Sequence, residues 1–307
     1  MSPWAIVCRV RALASILVAS MAFGCSTEQA PAPPDPSTHT FGGARPVPIV
    51  RAPDKYDRSK PVSLVLMLHG YGSDALQTNV LFGLQYVVDD ENLLLAIPEG
   101  TVDPTGKKFW NVGEACCDFG KSGIDDVKYL LDLVKELRQW YAVDPKRIYV
   151  VGVSNGGFMA LRLGCEASDV FAGVVSYAGA GPLDASKCAP TAPVAILQIH
   201  GTADTTVPYG GGTLSVGSGI VVPSAMKTTA DWAARNGCGA SPDASAPPID
   251  FDSDQPGAET KVTSWTGCTA NGATRLLSIE GSPHVSLGIT KNFPSVALGF
   301  LKDHAKP

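Results

Sequence analysis

Residues 152 to 156 read Gly-Val-Ser-Asn-Gly. Ser154 has a glycine two positions before it and another two positions after it. An apolar run, Ile148 to Val151, enters this corner, and a helical pattern leaves it. The pattern G-x-S-x-G between a strand and a helix lets the backbone turn sharply and keeps side chains away from the hydroxyl. The hydroxyl then stands at the carboxyl end of a sheet, beside a helix N-terminus, as a candidate nucleophile. A functionless glycine-rich turn can carry the same five letters, so the flanking strand and helix bear the weight of the reading.

A serine hydroxyl is a poor nucleophile until a base takes its proton. The chain has five histidines. His39 lies in a Pro-rich N-terminal stretch. His69 and His200 each end a predicted strand and precede glycine, where a structural role is expected. His304 lies in the last predicted helix. His284 sits in the loop EGSPHVSLG between the last predicted strand and that helix, and it is the expected base. An imidazole in this role needs a carboxylate to hold its tautomer and stabilise its cation. In LQIHGTADTTVPY, Asp204 follows a strand and lies between Ser154 and His284 in the chain. Asp184 is the rival acid, in a less defined loop. Ser, then Asp, then His is the order found in α/β-hydrolases. Charge developing on an attacked carbonyl needs preorganised donors. The expected pair is the backbone N–H of Asn155, after the serine, and that of Tyr71, in LMLHGYGSDA after an early strand.

These residues need a scaffold that brings strand ends together. Apolar, β-branched runs at Val62–His69, Leu93–Pro98, Arg147–Val153, Phe171–Ala178, Val194–His200 and Thr274–Glu280 read as strands. Helical patterns cover Ala75–Asp90, Asp125–Tyr141, Gly156–Glu166, Ala225–Asn236 and Pro294–His304. In the second of these, Val127, Leu130, Leu131, Val134 and Leu137 recur at helical spacing. Asp125-Asp126 suits its N-terminal cap. The alternation predicts an α/β fold, a mostly parallel central sheet with helices on both faces. Two stretches interrupt it. Thr101 to Gly123 is loop-like and carries Trp110 and Cys116-Cys117. Gly239 to Thr260 is rich in Pro, Asp and Ser, and its DFDSD is expected to be a solvated loop. Gln255 and Lys261 stand where a calcium-binding EF-hand would need Gly and Glu.

The chain has 307 residues, 45% of them hydrophobic, and a net charge of −5. That suits one α/β domain with a sizeable core and gives no basic surface for nucleic acid. Residues 1–24 read as a signal peptide, with Arg9 and Arg11 ahead of an apolar stretch from Ala12 to Phe23 that is short for a membrane span. Gly24-Cys25 resembles the lipobox of bacterial lipoproteins, although Ala22 stands where that motif usually has Leu. Lipid on Cys25 would anchor the protein to a membrane; plain secretion is the other outcome, and both mean export from a bacterium. Residues 25–43 read as a Pro-rich tether and 44–307 as the domain. Once Cys8 and Cys25 are set aside, six cysteines remain. In an exported chain these suggest disulfides, in pairings the spacing leaves open. The cysteines show no paired C-x-x-C spacing for zinc.

Several stretches resemble the secreted esterases grouped as polyhydroxybutyrate depolymerase-like or feruloyl esterase-like, within the α/β-hydrolase superfamily. They are LHGYGSDA, WNVGEACCDFGKSGIDDVKYL, GVSNGGFMALRLGCE, FAGVVSYAG, IHGTADTTVPYGGG, WAARNGCG and WTGC, in family order from Val62 onward. The resemblance implies an α/β-hydrolase fold, Ser154 as nucleophile, Asp204 as acid and His284 as base. It implies carboxylic esters as substrates, including feruloyl, acetyl or hydroxyalkanoate groups on polymers. The chain departs from the family at His284, where a glycine-rich His-Thr-Trp-Pro stretch is replaced by SPHVS, so an aromatic wall beside the acyl pocket is missing. Trp110 is carried forward as a substrate-binding candidate, with a core position as the alternative. Cys116-Cys117 form a vicinal bond or bridge elsewhere; with the vicinal bond, Cys165–Cys188 and Cys238–Cys268 remain.

The expectation is an exported serine esterase without metal or redox cofactor, acting on feruloyl or acetyl groups of plant polysaccharides or related soluble esters. The alternatives are a serine peptidase using the same three residues, a polyester depolymerase and a noncatalytic surface-binding lipoprotein. The sequence leaves the oligomeric state open.

Overall fold

The structure, a computed structural model, describes residues 35–307 apart from Ser218. The expected signal peptide, Cys25 and most of the expected tether lie outside the described residues. The chain divides into two units, 1–39 and 40–307. Of the first, the described part is a turn, Pro36–Thr38, capped by Asp35. In the second, Phe41 is buried and stacks on Tyr141, with ring centroids 5.9 Å apart.

In chain order the strands are β1 (Ile49–Arg51), β2 (Val62–Leu68), β3 (Leu93–Ile97), the two-residue β4 (Thr101–Val102) and β5 (Lys108–Phe109), and β6 (Val143–Val153). They continue with β7 (Gly173–Tyr177), β8 (Ala195–Gly201), the two-residue β9 (Gly212–Thr213) and β10 (Val221–Val222), β11 (Thr260–Trp265) and β12 (Thr274–Ile279). The α-helices are α1 (Ala75–Phe82), the single-turn α2 (Val88–Glu91), α3 (Asp126–Trp140), α4 (Asn155–Glu166), α5 (Ala225–Arg235) and α6 (Phe293–Lys302).

Eight strands form one sheet in the order β1-β3-β2-β6-β7-β8-β12-β11. The inner pairs are parallel, and β1 and β11 close the edges antiparallel. β2 and β6 lie side by side, with Leu68 opposite Gly152. From this pair the chain builds outward in both directions, β2 to β3 on one side and β6 to β7 on the other. Such a switch point leaves a crevice beyond the carboxyl ends of the strands.

Alternate strand residues feed two cores. Leu64, Leu66, Leu68, Ile148, Val150 and Val174 pack on one face with α3, α4 and Trp232 of α5. Val65, Met67, Tyr149, Val151, Val175 and Leu197 pack on the other with α1 and α6. On α3, Val127, Leu130, Leu133, Val134 and Leu137 turn inward, and Asp125 caps the helix by accepting from the Lys128 N–H at 2.9 Å. The predicted helix Ala75–Asp90 is broken because Gly83 takes a left-handed φ of 66° and ends α1 after two turns. β1 and β11 lie outside the predicted strands. β1 has three residues, too few to show a period, and β11 carries Lys261 and Ser264 among its apolar positions.

Candidate active site

Ser154 follows β6 with φ +54° and ψ −121°, a conformation that costs an L-residue about 1–3 kcal/mol. The turn is held by the Ser154 N–H, which donates to the Tyr177 carbonyl at 2.8 Å. Its glycines are there for space. A Cβ on Gly152 would lie 2.1 Å from the Gly156 carbonyl oxygen, and one on Gly156 would lie 2.3 Å from that of Leu68. The corner can therefore close against β2 only with glycine at both positions.

His284 Nε2 is 2.9 Å from Ser154 Oγ, and His284 Nδ1 is 2.7 Å from Asp204 Oδ2. Asp204 Oδ1 accepts from the N–H groups of Thr206 at 2.8 Å and Val207 at 2.9 Å. The Asp204 side chain is fully buried and that of His284 is 21% exposed, so the imidazole meets solvent while its carboxylate does not. Burial pushes the Asp204 carboxyl up. Hydrogen bonds from His200 and His284, the His284 charge and the Val207 N–H outweigh it and hold the group well below the usual carboxylate range. The rival acid Asp184 is exposed and caps a turn through Ser186, at 3.0 Å from its N–H and 2.7 Å from its hydroxyl.

A second histidine touches the same carboxylate. His200 Nε2 is 3.1 Å from Asp204 Oδ2 and 2.9 Å from the Val207 carbonyl. Gln198 Nε2 lies 3.3 Å from His200 Nδ1 and donates to it, which leaves the His200 proton on Nε2, facing Asp204. Sequence reasoning gave His200 only a general structural role. The signal was its place four residues before Asp204 at the end of a strand.

The loop after β2 approaches the serine closely: a Cβ on Gly70 would lie 3.4 Å from Ser154 Cβ. Tyr71 follows Gly70. Asn155 opens α4, where the first N–H groups of a helix have no carbonyl one turn back. His69 is buried, its Nδ1 donates to the Gly70 carbonyl at 2.8 Å, and its Nε2 accepts from the Gly100 N–H at 2.8 Å. Burial lowers its pKa against the opposing pull of the Gly70 carbonyl and Glu99.

Trp110 does not line the crevice. It is fully buried, and its Nε1 donates to the His69 carbonyl at 3.0 Å. Its backbone N–H donates to Asn155 Oδ1 at 2.7 Å, and its carbonyl accepts from Asn155 Nδ2 at 2.9 Å. An indole whose only polar atom finds a partner inside is stable in the core, and here it ties the β2 loop to the first residue of α4. The expectation that Trp110 binds substrate is therefore corrected.

The cysteines pair as Cys116–Cys117, Cys165–Cys188 and Cys238–Cys268. A groove of about 790 Å³ runs along α4 from Phe158 past Leu161 to Cys165, between residues 112–115 and the Ala180–Leu183 segment. Its near end, Phe158, lies one helical turn after Ser154. Among the described residues, no group of three His, Cys, Asp or Glu side chains is arranged to hold a metal ion, and no helix is long and apolar enough to cross a membrane.

A family model described as phospholipase/carboxylesterase matches residues 55–217, more than half of the chain. The chain belongs to the phospholipase/carboxylesterase family. The match takes in Ser154 and Asp204 and ends before His284. This carboxylesterase-family chain is 32% identical to feruloyl esterase B of Piromyces equi over 65% of its own length and 37% of the relative's. It is 33% identical to poly(3-hydroxybutyrate) depolymerase of Ralstonia pickettii over 39% of its own length and 26% of that protein's. It spans less than half the length of these curated relatives. Among solved structures, the acetyl xylan esterase from Aspergillus awamori superposes with a TM-score of 0.55 at 15% identity, covering 82% of this chain and 93% of that one. Esterase PE8 superposes with a TM-score of 0.51 at 19% identity, covering 83% and 97%. At these identities the likeness is one of fold, and the fold is that of the α/β-hydrolases.

Proposed function

We propose that the chain is a serine esterase in which Ser154 is the nucleophile, His284 the base and Asp204 the acid. The observation that carries this is the unbroken hydrogen-bonded line Ser154 Oγ–His284–Asp204, with distances of 2.9 and 2.7 Å. His284 Nε2 takes the Ser154 proton as Oγ attacks the ester carbonyl. The oxyanion accepts from the N–H groups of Tyr71 and Asn155, each donor contributing about 3–4 kcal/mol. His284 passes its proton to the departing alkoxide. A water then loses a proton to His284 and attacks the acyl-enzyme, and the acid leaves with Ser154 reprotonated.

The reading extends to short acyl esters, such as acetyl groups on plant polysaccharides or related soluble molecules. Ser286 stands where the His-Thr-Trp-Pro stretch of the resembled family has its Trp, and Trp110 is sealed inside, so neither offers a ring to a hydroxycinnamoyl group. Stacking of that kind contributes about 0.5–1.5 kcal/mol beyond burial. The names of the curated relatives keep feruloyl esters and polyhydroxybutyrate in the test set. The expected order of kcat/KM is p-nitrophenyl acetate and butyrate above octanoate and methyl ferulate, with slow clearing of a polyhydroxybutyrate film. Methyl ferulate a hundredfold above acetate, or rapid film clearing, overturns this choice of substrate.

Export belongs to the same proposal. It rests on the charged and apolar leader ahead of Gly24-Cys25 and on three disulfides, which persist in oxidising compartments. A mature chain beginning at acylated Cys25, found by mass spectrometry, is the expected result; an unlipidated start elsewhere means plain secretion.

A further inference from the structure

We infer that Asp252 is a positioning residue for His284, a carboxylate clamp that fixes the loop carrying the proposed base; the inference rests on the serine-esterase reading. His284 has a serine two residues before it and another two residues after it. Ser282 Oγ donates to Asp252 Oδ2 at 2.7 Å, and Ser286 Oγ donates to Asp252 Oδ1 at 2.8 Å. One carboxylate thus grips both sides of the loop, one oxygen to each side. Asp252 and Ser282 are fully buried and Ser286 is 5% exposed, so water does not compete for these bonds.

The clamp is built into its surroundings. The Asp252 N–H donates to Glu259 Oε1 at 2.9 Å, and the Asp254 N–H donates to Asp252 Oδ1 at 3.1 Å. Asp254 Oδ2 accepts from the Gly288 N–H at 2.9 Å and lies 3.0 Å from Ser286 Oγ, whose single proton serves one of the two carboxylates at a time. Gly288 is required here, since a Cβ on it would stand 2.1 Å from Asp252 Oδ1. Among the described residues no Lys, Arg or His is paired with Asp252, so hydroxyl and amide donors are its whole support. A buried carboxylate held in this way is costly without its donors, and the donors it uses are the two serines that bracket His284.

The loop belongs to no regular element: β12 ends at Ile279, and the next helical turn begins at Leu287. Backbone bonds hold the near side of this loop, where the Ser282 N–H donates to the Ile279 carbonyl at 3.3 Å and the Ser282 carbonyl accepts from the Ala203 N–H at 3.1 Å. The Asp252 network adds a hold on the far side, through Ser286. A base displaced by a fraction of an ångström from Ser154 loses rate without losing substrate binding.

The test is kcat and KM on p-nitrophenyl acetate for Asp252→Ala, Asp252→Asn and the double variant Ser282→Ala/Ser286→Ala, with Ser154→Ala alongside. Circular dichroism and melting temperature establish that each is folded. Asp252→Ala and the double serine variant should lose about 10–100-fold in kcat with KM within threefold. Asp252→Asn should stay within about threefold, because its amide can accept from one serine and donate to the other. Full kcat in folded Asp252→Ala, or in the folded serine pair should Asp252→Ala not fold, overturns the clamp. So does an Asn variant as slow as Ala, since the group would then act through charge and not through its hold on the loop. If Ser154→Ala keeps its activity, the serine-esterase reading fails instead, which is a separate outcome.

Discussion

His200 and His284 bind the same oxygen of Asp204, at 3.1 and 2.7 Å. Two imidazoles converging on one buried oxygen hold the carboxylate in a single rotamer. In the proposed mechanism, the one facing Ser154 then moves a proton while Asp204 stays in place. Gln198 fixes the outer imidazole in turn and donates to the Gly179 carbonyl at 2.8 Å, just past β7. Asp204 is thereby tied to the strand next to the one that leads into Ser154.

His200→Ala removes one donor from a charged acceptor, a bond of about 1.5–3 kcal/mol. We expect kcat/KM on p-nitrophenyl acetate to fall about 10–100-fold. Because His200 acts through Asp204, the effect should shrink in an Asp204→Asn background, as expected for residues in one network. Two single variants and the double supply the cycle. Fully additive losses would mean that His200 acts elsewhere.

The lowered pKa of Asp204 sets a pH dependence. Its carboxyl is harder to protonate in the folded chain than in the unfolded one. Its stabilising contribution is whole above the ordinary Asp value and is lost as pH falls through that value toward the lower folded one. The melting temperature of the wild type minus that of Asp204→Asn should therefore fall between about pH 5 and pH 3. A difference constant over this window would show that the carboxyl is unshifted.

Trp110→Phe should cost stability and leave acyl preference alone. The ring volume is largely kept, but the His69 carbonyl loses its indole donor, a loss of about 1–3 kcal/mol in a buried site. Trp110→Ala should cost about 3–5 kcal/mol. Chemical denaturation measures the loss, and the acetate-to-octanoate ratio of kcat/KM measures preference. A changed ratio with unchanged stability would return Trp110 to the crevice.

Much of the fold was legible because buried parallel strands read as apolar runs. β2, β3, β8 and β12 lie within a residue of their expected bounds, and β7 within two. β6 starts earlier than expected because Asp144 to Arg147 carries polar side chains on an exposed strand end. Ser154, Asp204 and His284, which lie on one hydrogen-bonded line, could be singled out because each sits where a strand ends, at a glycine corner or in a loop. Trp110 misled because a lone Trp in a loop looks the same whether its ring faces a cleft or the core; its partners, His69 and Asn155, are 41 and 45 residues away. Asp252 was invisible for a related reason. Within DFDSD it looks solvated, and only the return of the chain 30 residues later, at Ser282, buries it.

Labelling the serine itself tests the account most directly. A fluorophosphonate probe should modify one residue per chain, Ser154, located by peptide mass spectrometry, with activity on p-nitrophenyl acetate lost in proportion. Folded Ser154→Ala should take no label and lose activity on the order of 10⁴-fold or more. Activity retained in folded Ser154→Ala, or label on another residue, would contradict it.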